Sequence, residues 1–369
     1  MTTTRQGRLL AAMEEADLDA AAFVPGPNFY FLTGAHFHLM ERPTVLLVTR
    51  AGERHAVMPL LERTRWQSVA PDVETVYWQD ADGYAGAFAA LARRIAPVAG
   101  RGRIGVEGQR MRLFEAEALR AALPAAAVVD THALLSRMRL HKDAGEIAAL
   151  RRAIAISETA LAATIAAATA GMSEAEVRAR LLAEMLAAGA DGPSFDPIVL
   201  AGPASADPHG SPSPDRRLER GQPLLIDYGA AWGGYFADIT RTFFVGEASS
   251  EHRDIYEAVL AANAFGRETA RPGMTLDALD RTVTEKLRAG GFPELVLTKT
   301  GHGLGLDVHE APQVMVGNLQ EIEPGMVFTI EPGLYRPGDI GVRIEDDVLA
   351  TPDGAESLTA FERGLTVIG

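Results

Sequence analysis

Cysteine is missing from this 369-residue chain. Its absence excludes disulfides, zinc fingers, iron–sulfur clusters and thiol catalysis together, so any metal must be held by carboxylates and imidazoles. Basic residues are the minority, with 35 Lys and Arg against 49 Asp and Glu and a net charge of −14. Neutralising phosphates needs clustered Lys and Arg, so this balance argues against a nucleic-acid partner. A membrane helix needs about 20 apolar residues and a signal peptide about 7–15, and neither run is found. Instead Glu14, Glu15, Asp17 and Asp19 follow soon after Met1. The expectation is a cytoplasmic protein with no membrane partner. Long internal repeats, low-complexity linkers, a Gly-x-Ser-x-Gly elbow and a Walker-type phosphate loop are also lacking.

What is present is ordinary globular material, 47% hydrophobic and 23% charged, which argues against disorder and leaves ample stock for a core. The length suits two or three domains. Leu9, Leu10 and Met13 among charges predict a helix over 5–18, and the apolar runs Ala20–Val24 and Thr44–Val48 predict buried strands. Strands at 52–59, 73–78 and 103–106 and helices over 84–96 and 112–122 continue the alternation. Together they predict an α/β domain over 1–135. A long helix over 143–169, with Ile147, Leu150, Ile154, Leu161 and Ile165 on one stripe, opens a second domain over 136–369. Gly171 is expected to stop it, and Ser173 with Glu176 reads as a capping box for the next helix. Beyond about 195 strands dominate, with helices over 251–269 and 276–289.

Three patterns carry chemistry. Two β-type runs flank Trp232-Gly233-Gly234, and a hairpin turning between Trp232 and Gly233 sets Asp227 opposite Asp238. Like charges so placed are about 4.5–5.5 Å apart and destabilising, unless a cation joins them. The alternative for this pair alone is a slipped register with exposed carboxylates. A second hairpin, centred on Gly338, sets Glu331 opposite Glu345. Burying four unpaired carboxylates would cost more than a domain's whole stability, whereas two divalent cations would balance them. The third pattern is Thr300-Gly-His302-Gly-Leu-Gly-Leu-Asp-Val-His309. Glycines beside His302 permit close approach of a ligand loop, and a neutral imidazole needs its other nitrogen oriented by a partner. His309 reads as a second ligand or as an acid toward substrate. Oxygen-rich donors suit Mn²⁺, with other borderline divalent ions such as Co²⁺ or Zn²⁺ as alternatives. Two metals so held would serve amide hydrolysis.

These motifs resemble the Xaa-Pro peptidase family of pita-bread metallopeptidases, which includes prolidase and aminopeptidase P and is related to methionine aminopeptidase. The resemblance spans essentially the whole chain. Asn28–Gly34 resembles part of a creatinase-like amino-terminal domain. Pro208-His209-Gly210, Ile226-Asp227, Asp238-Ile-Thr-Arg-Thr, Gly301-His302-Gly, His309-Glu-Ala-Pro, Thr329-Ile-Glu331-Pro-Gly and Val342-Arg-Ile-Glu345-Asp follow in the family's order. The implied fold is α/β (α+β), a creatinase-like domain followed by a pita-bread catalytic domain. The implied metal ligands are Asp227, Asp238, His302, Glu331 and Glu345, with Asp238 and Glu345 bridging and Glu331 also a proton shuttle. His209 and His309 match histidines that hold substrate and stabilise the tetrahedral intermediate, and Tyr335 and Arg343 match residues near the prolyl side. Arg343 lies two positions from Glu345 on one strand face, so it also reads as a salt bridge steadying a ligand.

The expected function is hydrolysis of the amino-terminal bond of small peptides, at Xaa-Pro, by a dinuclear metallopeptidase that is a homodimer. A broader aminopeptidase without proline preference, a relative cleaving non-peptide C–N bonds, and a metal-free peptide-binding module of the same fold are the alternatives. The loop Gly202-Pro-Ala204-Ser-Ala-Asp207-Pro-His209 departs from the family's usual Gly-Pro-Asn-Ser-Ala-Leu-Pro-His at Ala204 and Asp207. It reads as either a solvent-facing loop or altered specificity.

Overall fold

Apolar residues at every position but the terminal Thr49 make Ala20–Phe23 and Val45–Thr49 strands that are buried throughout, as strands covered on both faces must be. They are the central pair of a six-stranded sheet, whose spatial order is Glu74–Trp78, Arg54–Pro59, Val45–Thr49, Ala20–Phe23, Arg103–Val106 and Ala127–Asp130. The sheet is mixed, with the first two hairpin connections antiparallel and the later crossovers parallel. The computed structural model describes residues 4–369, and these sort into two units that divide between Arg139 and Leu140. In the first unit, Phe88, Leu91 and Ile95 of helix Ala85–Ala99 and Leu119 of helix Leu113–Ala122 cover the sheet.

Of the helix ends that differ from the sequence reading, two have a clear local cause. The first helix ends at Glu15 rather than at 18, because Asp17 turns left-handed at φ 49° and Leu18 caps back onto the Met13 carbonyl. The second unit's long helix runs Ala144–Ala167. Ala168 already leaves helical geometry at ψ 127°, so Gly171, at φ 92°, shapes the following turn instead of stopping the helix. The Ser173–Glu176 capping box is present.

This long helix is the strut of the second unit. The Tyr228 hydroxyl donates to the Ser157 carbonyl (2.9 Å), the Ala230 amide to Ser157 Oγ (2.9 Å) and the Tyr235 hydroxyl to Glu146 Oε1 (2.9 Å). Those partners lie on the Trp232–Gly234 hairpin, so the helix fixes the hairpin from behind. The hairpin strands Pro223–Tyr228 and Ile239–Val245 form the centre of a four-stranded sheet with Ile198–Ala201 and Thr366–Ile368. A five-stranded sheet runs Glu310–Val314, Gly301–Gly303, Val327–Ile330, Asp346–Thr351, Gly354–Ser357. Gly333–Arg336 pairs separately with Ile340–Arg343. Ile255 and Val259 of helix Ser250–Thr269, with Leu279 and Val283 of helix Leu276–Arg288, pack on Phe328, Ile330, Val342 and Ile344.

The first unit holds a buried polar chain. Asn28, on the short helix Pro27–Thr33, donates to Glu107 Oε1 (2.8 Å), and Arg139 Nε donates to Asn28 Oδ1 (2.7 Å). Glu107 Oε2 has no hydrogen-bond partner among the described residues. Burial pushes the Glu107 carboxyl up to about 7, against the pull of Arg139 and Arg110. An acid with a raised folded-state pKa binds its proton more tightly when folded. Its contribution to stability is therefore full below the ordinary value of 4.5 and is lost as the pH rises through about 7. Glu107→Gln keeps an acceptor for Asn28 and removes the ionisation. Between about pH 5 and about pH 9 the variant should gain on the wild type by on the order of 1–3 kcal/mol in denaturant melts. A difference that stays flat across that range would rule out titration of Glu107 with folding.

Candidate metal centre

Strand alternation brings five donors together. Asp227 is on the fully buried strand Pro223–Tyr228, and Asp238 sits in the break before Ile239–Val245. Their register differs from the expected one. Asp227 is paired with Thr240, so the turn centres between Gly233 and Gly234, and Asp238 is a diagonal rather than a direct neighbour. A shift of two residues leaves the facing side unchanged, because strand side chains repeat every second position. Asp227, Asp238 and Glu345 accordingly present ligand oxygens within 4.8 Å of one another. The second pair keeps its register. Ile330 pairs with Asp346 and Gly333 with Arg343, which leaves Glu331 and Glu345 opposed in the gap between the two ladders.

His302, Glu331 and Glu345 form a second triad at the same spacing, and Asp238, His302 and His309 a third. His302 Nε2 lies 3.3 Å from Glu331 Oε1 and 3.6 Å from Asp238 Oδ2. Its Nδ1 meets the Gly303 carbonyl at 3.1 Å. A carbonyl can only accept, so Nδ1 carries the proton and the Nε2 lone pair of the neutral ring is left for the cluster. Burial holds His302 down at about 4, so the ring is neutral at physiological pH.

Threonines and one arginine fix the carboxylates. Thr240 Oγ1 donates to Glu345 Oε2 (2.6 Å), and Thr329 Oγ1 donates to Glu331 Oε1 (3.1 Å) while accepting the His302 amide (3.1 Å). Arg343 donates to Asp227 Oδ2, to the Tyr335 hydroxyl (2.7 Å) and to Thr240 Oγ1 (3.0 Å). Thus Arg343 makes the salt bridge to a ligand that its strand position suggested. The Asp238 amide donates to Asp347 Oδ2 (3.2 Å). Arg241, paired with the fully buried Asp346 at 2.8 Å, also donates to the Glu345 carbonyl (2.6 Å), tying the two ligand-bearing strands together.

The electrostatics of the cluster ask for a cation. Burial, then Glu345 and Asp227, raise Asp238 well above the usual carboxylate range. Burial, then Glu331 and Asp227, raise Glu345 in the same way, and burial raises Glu331 to about 7 in spite of Arg343. Asp227 Oδ1 is buried with no hydrogen-bond partner among the described residues. A hard or borderline divalent ion would use that orphan oxygen and reverse the cost of gathering like charges. The donor set therefore fits a carboxylate-rich metal site.

The cluster floors a cavity of about 640 Å³, walled by Phe195, Ile198, Pro208 and Val308 and by His209, Lys299, Asp307 and His309. The His302 and His309 rings are 4.1 Å apart, and burial with the neighbouring His302 holds His309 below the ordinary imidazole value. His209 and His309 each ride on a tethered loop. Fully buried Glu174 accepts from the amides of Ala201 (2.7 Å) and Ser213 (2.8 Å) and from Arg216 Nε, closing the base of the loop that carries His209. Lys142 and Glu310, whose side chains are 0% and 3% exposed, pair at 2.8 Å, and Glu310 Oε2 accepts the Asp307 amide (3.3 Å). That pair anchors the segment holding His309.

Ala204 and Asp207 are outside the cavity lining. Asp207 Oδ1 accepts the His209 amide (3.2 Å), so its carboxylate shapes the local turn. Tyr335 also lies outside the lining and is buried against Arg343. Thr240, Thr329, Asp347, Glu174 and the Lys142–Glu310 pair were not singled out in the sequence. The two threonines and Asp347 had a signal, each being two positions from a candidate ligand and hence on its strand face.

Fold and site together define a metallopeptidase. Residues 148–352 match metallopeptidase family M24, and residues 5–141 match the creatinase/prolidase N-terminal domain. A prolidase structure from Thermococcus sibiricus is 32% identical and superposes over 100% of both chains with a TM-score of 0.92. A dipeptidase from Mycobacterium ulcerans is 33% identical over 99% of this chain and 97% of its own, with a TM-score of 0.89. An X-Pro aminopeptidase from Thermotoga maritima is 30% identical over 98% and 99%, with a TM-score of 0.84. The chain belongs to metallopeptidase family M24, with a creatinase-type amino-terminal domain ahead of the pita-bread domain.

A ligand that binds only the native state stabilises it by RT ln(1 + [L]/Kd). Adding Mn²⁺ to chelator-treated protein should therefore raise Tm, by several degrees at an ion concentration about 100-fold above Kd. Glu345→Gln should shrink that increment. Superimposable melts with and without the ion would remove the case for a buried metal site.

Proposed function

We propose that the chain is a dinuclear, Mn²⁺-dependent peptidase that cuts the amino-terminal bond of short peptides and favours Xaa-Pro. The observation that carries this reading is the convergence of five donors in overlapping triads at the floor of a cavity of peptide size, among them Asp227, whose Oδ1 has no hydrogen-bond partner among the described residues. Asp227, Asp238 and Glu345 would hold one ion and His302, Glu331 and Glu345 the other, with Asp238 and Glu345 between them. When bound, such ions supply Lewis acidity toward a carbonyl and toward water.

The chain's own groups supply the rest. Glu331, raised by burial and steadied by Thr329, is suited to accept a proton from the attacking water and pass it to the departing amine. His309, beside His302, is suited to donate a ring N–H to the developing oxyanion, and His209 across the cavity to hold the substrate. An Xaa-Pro amide nitrogen carries no hydrogen, so selection must rest on the shape of the ring. The Phe195, Ile198, Pro208 and Val308 wall supports that selection, and neither Ala204 nor Asp207 intrudes on it. A cytoplasmic homodimer completes the reading, and light scattering of the purified protein checks the dimer.

Chelation should abolish peptidase activity and Mn²⁺ or Co²⁺ should restore it, while Asp238→Ala should lose activity beyond rescue by metal. Retained activity in either case would defeat the dinuclear assignment. Selectivity is read from kcat/KM for two peptides differing only in Pro or Ala at the second position. The Pro peptide should be cut better, and His309→Ala should lose mainly kcat, by about 10²–10³-fold, because it acts on the transition state. Faster cleavage of the Ala peptide would replace the prolyl reading with a general aminopeptidase.

A further inference from the structure

The segments that carry Glu331 and Glu345 lose their ladder between the pairs Ile330–Asp346 and Gly333–Arg343. The cause is in the sequence. Continuing the register sets Pro332 opposite Ile344, and proline has no N–H to donate. The Ile344 amide reaches the Pro332 carbonyl only at 3.5 Å, and Pro332 can return no bond to the Ile344 carbonyl. Asn263, on helix Ser250–Thr269, supplies that donor instead. Its Nδ2 donates to the Ile344 carbonyl (3.2 Å) and to the Ile330 carbonyl (3.0 Å), and an amide nitrogen has two hydrogens, enough for one to each strand.

The brace is itself held in place. Asn263 Oδ1 accepts from Arg267 Nε (2.9 Å), and a guanidinium can only donate, so the amide nitrogen faces the strands. Gly266, about one helical turn on, lets the helix close on the sheet, since a Cβ there would come within 2.9 Å of the Ile330 side chain. Asn263 is 0% exposed and buried on the same helix as Ile255, Val259 and Ala262, where an amide is costly unless its hydrogen bonds are met.

Ile330 and Ile344 each precede a carboxylate of the cluster. An anchor on both carbonyls therefore fixes the separation of the two backbones where Glu331 and Glu345 leave them. We propose that Asn263 is a positioning residue for the metal pair: it stands in for the ladder bond that Pro332 cannot make, and so holds Glu331 and Glu345 at the spacing by which His302, Glu331 and Glu345 take an ion. The inference rests on the metal-centre reading and goes beyond it by naming what, outside the cluster, sets its geometry. Asp227 and Asp238 belong to the other hairpin, and the Glu345 amide is tied to that hairpin through the Thr240 carbonyl (3.1 Å). The ion held by Asp227, Asp238 and Glu345 should therefore depend on Asn263 much less.

Chelator-treated full-length protein is titrated with Mn²⁺, with free ion counted by EPR and the bound pair followed by its exchange-coupled signal. Wild type should take up two ions and show that signal. In Asn263→Leu one binding step should weaken by about tenfold, the worth of one or two hydrogen bonds. The coupled signal should fade, and the other step should change little. Pro332→Ala returns an N–H to the ladder, so adding it to Asn263→Leu should recover most of the loss. Asn263→Ser, too short to reach either carbonyl and without added bulk, replaces Asn263→Leu if that variant does not fold. A merely structural Asn263 would lower Tm while the folded variant bound both ions as wild type does, and that result overturns the proposal. Equal weakening of both steps, or no recovery from Pro332→Ala, also overturns it. A wild type that binds no Mn²⁺ is a different result, because it removes the metal reading itself.

Discussion

Four carboxylates forced together inside a β structure are the constraint from which the rest of this unit follows. Side chains of the hairpin strands and of the opposed Glu331 and Glu345 segments converge because strand residues repeat every second position. No packing force favours that convergence, since burial and mutual repulsion raise Asp238 and Glu345 far from their ordinary range. The backbone has to impose it. The Ser157 and Glu146 bonds from the long helix pin one hairpin, and Arg241 bridges that hairpin to the Glu345 carbonyl. In effect the fold stores electrostatic cost in the ion-free state that a divalent cation would return on binding.

The organic side of the site is built on a different device. His209 and His309 are exposed to the cavity, and neither is part of a hairpin core. Each depends on a buried carboxylate whose partners come from distant parts of the sequence. Glu174 gathers two loop amides and Arg216, while Glu310 meets Lys142 across 168 residues of chain. Removing one partner of the dry Lys142–Glu310 pair would leave an uncompensated charge at a cost of about 3–5 kcal/mol. The loops are therefore held far more firmly than their exposure suggests, which suits groups that must meet a transition state without reorganising.

Much of this was legible in the amino-acid sequence because it is local. Alternation placed the elements, glycine pairs placed the turns, and the Gly338 hairpin had its register right out to Glu331 and Glu345. The other hairpin was misread by two residues because Trp232-Gly233-Gly234 allows more than one turn centre, and pairing far from the turn decides between them. The facing side survived the error because two is the strand period. What stayed hidden was non-local. Nothing near Lys142 announces Glu310, and nothing near Glu174 announces the two ends of the His209 loop. Asp346 and Asp347 follow Glu345 directly, yet alternation turns neighbouring residues to different partners, Arg241 for one and the Asp238 amide for the other.

Within the cluster the division of labour falls between atoms rather than residues. Arg343 takes Asp227 Oδ2 and leaves Oδ1 without a hydrogen-bond partner among the described residues. Thr240 takes Glu345 Oε2, Thr329 takes Glu331 Oε1, and the Gly303 carbonyl takes the Nδ1 proton of His302. Four of the five donors, all but Asp238, are thus oriented through one atom by a neutral hydroxyl, a carbonyl or a single guanidinium. Had the same residues been oriented by full ion pairs at every position, the fold would have satisfied its own charges and lost its attraction for a cation. Using threonine hydroxyls for two carboxylates and spending only one arginine keeps the site short of positive charge while fixing its geometry. That shortage, with Arg343 the only Lys or Arg paired to a cluster carboxylate among the described residues, is what turns an unfavourable assembly of buried acids into a metal site.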